Sequence, residues 1–150
     1  MKGSELRLIE YMEGSKKRFI IPVYQRNYDW KIENCKQLYD DLIQVIKNNS
    51  KTHFFGSIVS VYEPSGRNTE FLIIDGQQRL TTMSLLFLAM YNLLEEKIII
   101  SEDESLKDQI YEDFLVDKYQ PQEKRMKLKP IKNDQKAFSK LFNSKDDYIK

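Results

Sequence analysis

The sequence predicts a small domain that mixes helices with a few short strands, and three observations carry that expectation. Two β-rich segments, 54–62 and 70–74, flank the turn Pro64-Ser65-Gly66 and read as a hairpin with a loose loop. The stretch from Leu80 to Leu94 carries apolar residues on nearly every face, which predicts a buried helix at the centre of the domain. Leu38, Leu42, Val45 and Ile46 recur at helical spacing and predict an amphipathic helix that ends near Asn48-Asn49. At 150 residues the chain is long enough for one compact domain with a sizeable core.

The remaining elements follow in order. Leu6, Ile9 and Met12 share one helical face, and Gly14-Ser15 stops that run. Phe19-Ile20-Ile21-Pro22-Val23 reads as a short strand, with Pro22 marking an edge or an end. Asp75-Gly76 turns the second hairpin strand into the buried helix. Beyond Glu95 the character shifts: residues 95–117 are rich in acid, and Ser101-Glu102-Asp103-Glu104 matches a capping box for a helix carrying Leu106, Ile110, Phe114 and Leu115. Residues 118–140 are basic, with Lys118, Lys124, Arg125, Lys127, Lys129, Lys132, Lys136 and Lys140. Asp134 is placed to cap a last helix with Phe138, Leu141 and Phe142 on one side. The expected organisation is a nucleotide-binding core over 1–96 and a helical, basic continuation over 97–150. The end of the chain offers no obvious closing element, so a piece of a longer protein is expected.

Composition excludes several function classes. Twenty-four basic and twenty-three acidic residues give a net charge of +1, so no global field holds the chain on nucleic acid. One cysteine, Cys35, rules out an internal disulfide and a cysteine-based zinc site. One histidine, His53, rules out a centre built on several histidines. The N-terminus lacks the apolar stretch of a signal peptide, and the longest apolar run, Met83 to Tyr91, is too short to cross a bilayer. A cytoplasmic protein without membrane contact is expected.

The segment Asp75-Gly76-Gln77-Gln78-Arg79 joins a buried strand to a buried helix. First-turn amides of such a helix have no intrahelical partners, and the dipole adds partial positive charge there. Arg79 has the wrong sign for that position unless an anion sits between the guanidinium and the amides, and a phosphate suits both. Gln77 and Gln78 add neutral donors and acceptors for a sugar, a base edge or a water. Asp75 stands beside this site as a ligand for Mg²⁺ or as a group orienting a water for attack on a phosphoryl group. The competing reading is an aspartate cap, a turn glycine and solvated polar residues.

A second cluster, Pro22-Val23-Tyr24-Gln25-Arg26-Asn27-Tyr28-Asp29-Trp30, connects a strand to a helix. Arg26 offers a second phosphate contact, and Tyr24, Tyr28 or Trp30 a surface on which a base can stack. Alternatively, Tyr28 and Trp30 staple the helix start to the core and Asp29 caps it. His53 either packs or belongs to the site. Gly56 permits close backbone approach, and Cys35 is inert on its helix.

These two clusters, with His53-Phe54-Phe55-Gly56-Ser57-Ile58-Val59 between them and Leu80-Thr81-Thr82 after the second, resemble the N-terminal domain of the GmrSD restriction-system family, which SspE anti-phage proteins share. The three blocks cover roughly residues 6–95 in the family's order. The resemblance implies a ParB/sulfiredoxin-like α+β fold, and nucleoside triphosphate binding and hydrolysis that licenses cleavage of modified phage DNA. Residue by residue, it makes Asp75, Gln78 and Arg79 the catalytic members of an NTPase motif. Tyr24, Gln25, Arg26, Gly76, Gln77 and Thr81 become nucleotide contacts, with Mg²⁺ as cofactor. Cutting would belong to a C-terminal His-Asn-His type nuclease domain or partner chain, for which this chain lacks the histidines.

Two other functions are weighed against this one. A non-catalytic DNA-binding module would use Arg26, Arg79 and the 118–140 basic stretch on phosphates. A nuclease in its own right would need a carboxylate–metal centre.

Overall fold

The computed structural model describes residues 8–23, 25–48, 57–66, 68–121 and 124–143. Tyr24, His53 and Gly56 lie outside the described residues, so the expectations placed on them are not addressed by the structure. The fold is α+β: a mixed four-stranded sheet packed with five helices.

A short helix α1 (Leu8–Met12) buries Met12 and ends before Gly14, whose φ of +98° belongs to the left-handed region. The strand β1 (Lys17–Ile20) starts two residues earlier than the apolar run suggests and stops before Pro22. Pairing explains the shift, because Lys17 and Arg18 lie opposite Thr69 and Glu70 whatever their polarity. Next comes α2 (Ile32–Lys47), which closes at Asn48 as expected. Its N-cap is Lys31, whose N–H donates to Asn34 Oδ1 at 2.9 Å, so Asp29 is not the cap.

The hairpin is tighter than expected. β2 (Val59–Ser65) and β3 (Asn68–Asp75) pair antiparallel up to Ser65 and Asn68, with Gly66 at φ +65° in the turn. Pro64, expected in the loop, lies inside β2, and a proline without an N–H is tolerated there because β2 is an edge strand. The strand order is β2-β3-β1-β4, with β1 parallel to both β3 and β4. β4 (Leu128–Lys129) comes from the stretch expected to be helical.

α3 (Gln77–Glu95) starts directly after Gly76. Its first three turns are the buried part, with Leu80, Met83, Phe87 and Leu88 in the core, while Leu93 near its end is exposed. α4 (Leu106–Ile110) runs on into a π-helical turn over Tyr111–Leu115. The capping box at Ser101 does not open it. Ser105 is the cap position, and Asp103 Oδ1 accepts from the Ser105 N–H at 2.9 Å and its hydroxyl at 2.6 Å. The π turn sets Phe114 against Phe87 with ring centroids 4.2 Å apart and nearly parallel planes. α5 (Lys132–Asn143) completes the described chain.

One core spans the sequence-derived boundary at 96/97. Met12, Phe19, Ile73, Leu80 and Phe87 share it with Ile110, Leu115, Leu128, Ile131 and Phe138. A polar linchpin sits among them. Lys127 is 1% exposed, and its Nζ donates to the carbonyls of Met12, Gly14 and Asp113 at 2.5–2.6 Å. Burial, with the Lys17 charge, pushes its ammonium down to about 8. Lys127 therefore drops out of the basic surface that residues 118–140 were expected to present.

Candidate functional site

The connection after β1, α3, the exit of β4 and α5 line an open cleft of about 120 Å³. Its construction starts at Gly76. The glycine has φ +89°, and a Cβ there would fall 2.9 Å from the Ser57 carbonyl oxygen and 3.0 Å from Ile58 Cγ1. Only glycine meets both the left-handed backbone and the missing space, so β3 can turn at once into α3. The first-turn amides of α3 therefore emerge beside the connection that follows β1. No acidic residue occupies that first turn.

The two glutamines take different roles. Gln78 is 7% exposed, and its Oε1 accepts from the Asp29 N–H at 3.0 Å while its Nε2 donates to the Asn27 carbonyl at 3.1 Å. Both ends of its amide are engaged in holding the backbone of the connection. Gln77 Nε2 donates to Gln25 Oε1 at 3.0 Å, and Gln25 Nε2 reaches the Ile74 carbonyl at 3.2 Å. Gln25 thus clamps the connection to the end of β3.

Tyr28 fastens the connection from its other side. Its N–H donates to Asp134 Oδ2 at 2.7 Å, and its hydroxyl lies 2.9 Å from Thr82 Oγ1 and 3.3 Å from Cys35 Sγ. Burial and the Cys35 contact push the phenol up to about 12, so it stays a neutral donor and acceptor at physiological pH. Asp134 is therefore not the cap of α5. It lies within the first turn of that helix and anchors the connection 106 residues away in sequence.

Of the sequence-derived site residues, Arg26, Gln77, Gln78 and Thr81 line the cleft together. Arg26 is exposed and pairs with Asp29 at 3.8 Å, a weak contact that leaves the guanidinium available. The Thr81 hydroxyl donates to the Gln77 carbonyl at 2.8 Å, and its oxygen keeps acceptor capacity. Asp75, Gly76, Arg79 and Gln25 do not line the cleft. Asp75 is exposed at the end of β3, and Arg79 is half-buried in the first turn of α3.

The opposite wall was not legible in the sequence. Pro130, Ile131, Asp134, Ala137, Phe138 and Leu141 supply it, from β4's exit and α5. The apolar face of α5 was visible as a pattern, but nothing in that pattern said which part of the chain it meets.

Among the described residues, no group of three or more His, Cys, Asp or Glu converges to hold a metal. A lone carboxylate such as Asp75 fits Mg²⁺ only where substrate phosphates supply further oxygens, as hydrated Mg²⁺ sites commonly do. Among the same residues, no helix is long and apolar enough to cross a membrane.

Comparison with curated proteins finds no match to this chain. The family model for the GmrSD restriction endonuclease N-terminal domain matches residues 8–150, beyond the 6–95 span that carries the three motif blocks and across the whole described fold. With the match running from α1 through α5, the chain belongs to the GmrSD restriction endonuclease N-terminal domain family.

Proposed function

We propose that this chain is the nucleotide-binding, and nucleotide-hydrolysing, regulatory domain of a modification-dependent restriction system, with the nuclease elsewhere in that system. Family membership supports the restriction context. The observation that carries the nucleotide reading is the cleft itself, where Arg26, Gln77 and Thr81 meet the first turn of a 19-residue helix. First-turn amides, a helix dipole and the exposed Arg26 guanidinium favour a polyanion at that end. Arg79 stands half-buried in the first turn of α3, outside the cleft lining, and this reading assigns it a second contact to the phosphates at the helix start. Asp75, exposed at the end of β3 and outside the cleft lining, is the carboxylate this reading assigns to share Mg²⁺ with a phosphate chain or to orient a water.

Calorimetric titration of ATP, GTP, CTP and UTP, each with Mg²⁺, into the wild-type chain tests the reading. Binding that weakens tenfold or more in Arg26→Ala and in Arg79→Ala is expected. Asp75→Asn is expected to keep binding and lose phosphate release. If the folded chain bound no nucleotide but bound duplex DNA with steep salt dependence, the DNA-binding alternative would replace this reading.

A further inference from the structure

We infer that Asp134 reads the base of the bound nucleotide and that the cleft selects guanine, an inference that rests on the nucleotide reading above. The cleft has two chemically distinct walls. One is polar and carries Arg26, Gln77, Gln78 and Thr81 beside the start of α3. The other is built by Pro130, Ile131, Phe138 and Leu141 and is apolar apart from Asp134, the one carboxylate among the lining residues. Phosphates belong to the first wall. A flat heterocycle belongs to the second, where apolar side chains cover its faces.

A carboxylate in that wall repels phosphate and demands N–H donors. Asp134 is half-buried, and among the described residues only its Oδ2 is engaged, by the Tyr28 N–H at 2.7 Å. An ionised carboxylate has about four lone-pair sites, so Oδ1 and part of Oδ2 remain to accept. Among the common bases, guanine alone offers two adjacent donors, the ring N1–H and the exocyclic 2-amino group. Adenine and cytosine each present an amino group next to a ring nitrogen acceptor, which a carboxylate repels. Uracil presents one N–H between two carbonyl oxygens. The match is to guanine by two charge-assisted bonds.

Asp134→Asn separates base reading from the structural role. The new amide oxygen can still accept from the Tyr28 N–H, while its NH₂ replaces the free carboxylate oxygen with a donor. Calorimetry with GTP, ITP, XTP, ATP and UTP, each with Mg²⁺, is run on both chains, and thermal unfolding checks that the variant folds. The wild type is expected to bind GTP at least tenfold tighter than ITP, which lacks the 2-amino group, and tighter still than ATP or UTP. In the variant, GTP affinity is expected to fall tenfold or more and XTP affinity to rise, because the XTP 2-oxygen accepts from the new NH₂. Equal binding of all nucleotides by the wild type, or a variant that folds and keeps the preference for GTP, overturns the assignment of Asp134 and leaves the nucleotide reading standing. Binding of no nucleotide at all overturns both.

Discussion

At the scale of single residues, three positions owe their identity to specific geometry. Gly76 joins strand to helix at φ +89° against the Ser57 carbonyl. Gly76→Ala is expected to cost at least about 1–2 kcal/mol from the left-handed backbone alone, before the close contact adds to it. Urea unfolding measures that loss, and a neutral result would mean that the turn relaxes freely. Gln78 matters as a brace. Replacing it with Met leaves the Asp29 N–H and Asn27 carbonyl without their partner, at about 1–3 kcal/mol, and nucleotide affinity should fall along with stability. Lys127 is the third. Its folded value of about 8 lies below the ordinary 10.5, so between these limits the unfolded chain holds a proton that the folded chain has lost. Stability from this group therefore rises with pH from about 8 to about 10.5, by about 3 kcal/mol at most. Lys127→Met should be less stable throughout, and denaturant curves at pH 7.5 and 9.5 should show the gap to wild type widening at the higher pH.

At the scale of elements, the 25–30 connection is tied down by α3 and α5 rather than by its own sequence. Gln78, Thr82 and Asp134 hold it, from two helices distant in the chain. The π turn after α4 is the other element with a visible purpose, since it sets Phe114 flat against Phe87 of α3. Phe114→Ala removes a half-buried ring and is expected to cost about 1.5–3 kcal/mol, read as a lowered midpoint in thermal or urea unfolding. Asp117, just beyond that turn, ties the loop after it to the start of β1. Burial would raise its carboxyl, but bonds from the Lys16 and Tyr119 N–H groups and Gln120 outweigh that and hold it below the usual range. A depressed value means stability that is complete above the ordinary carboxyl range and lost as pH falls below about 4. An acid titration of wild type against Asp117→Asn should show their difference shrinking from pH 5 toward pH 2.5.

At the scale of the whole molecule, β4 and α5 complete both the sheet and the cleft. β4 pairs with β1 through Phe19 and Ile20, and Ile131 and Phe138 share the core with Leu80 and Phe19. A fragment of residues 1–96 would expose that face of β1 and of α3. It is expected to lack a cooperative unfolding transition by circular dichroism. A sharp transition in that fragment would show the first segment to be self-sufficient.

Local signals in the sequence were enough for the α2 helix and its end, the hairpin, the buried start of α3, and the turn at Asp75-Gly76, but of the α2 face only Leu38 is buried and Ile46 is 71% exposed. Helical and strand periodicities are written in side chains a few residues apart, and a glycine that must be left-handed announces itself between a strand and a helix. Arg26, Gln77, Gln78 and Thr81, singled out from two motif blocks, line the same cleft. Packing between distant segments is what makes Asp134 anchor Tyr28 instead of capping α5, and what puts Lys127 inside. It alone placed the apolar wall of the cleft on α5. A polar residue looks the same in sequence whether it caps its own helix, braces a distant loop or faces water. The choice is made by which backbone donors and acceptors the packed core leaves within its reach.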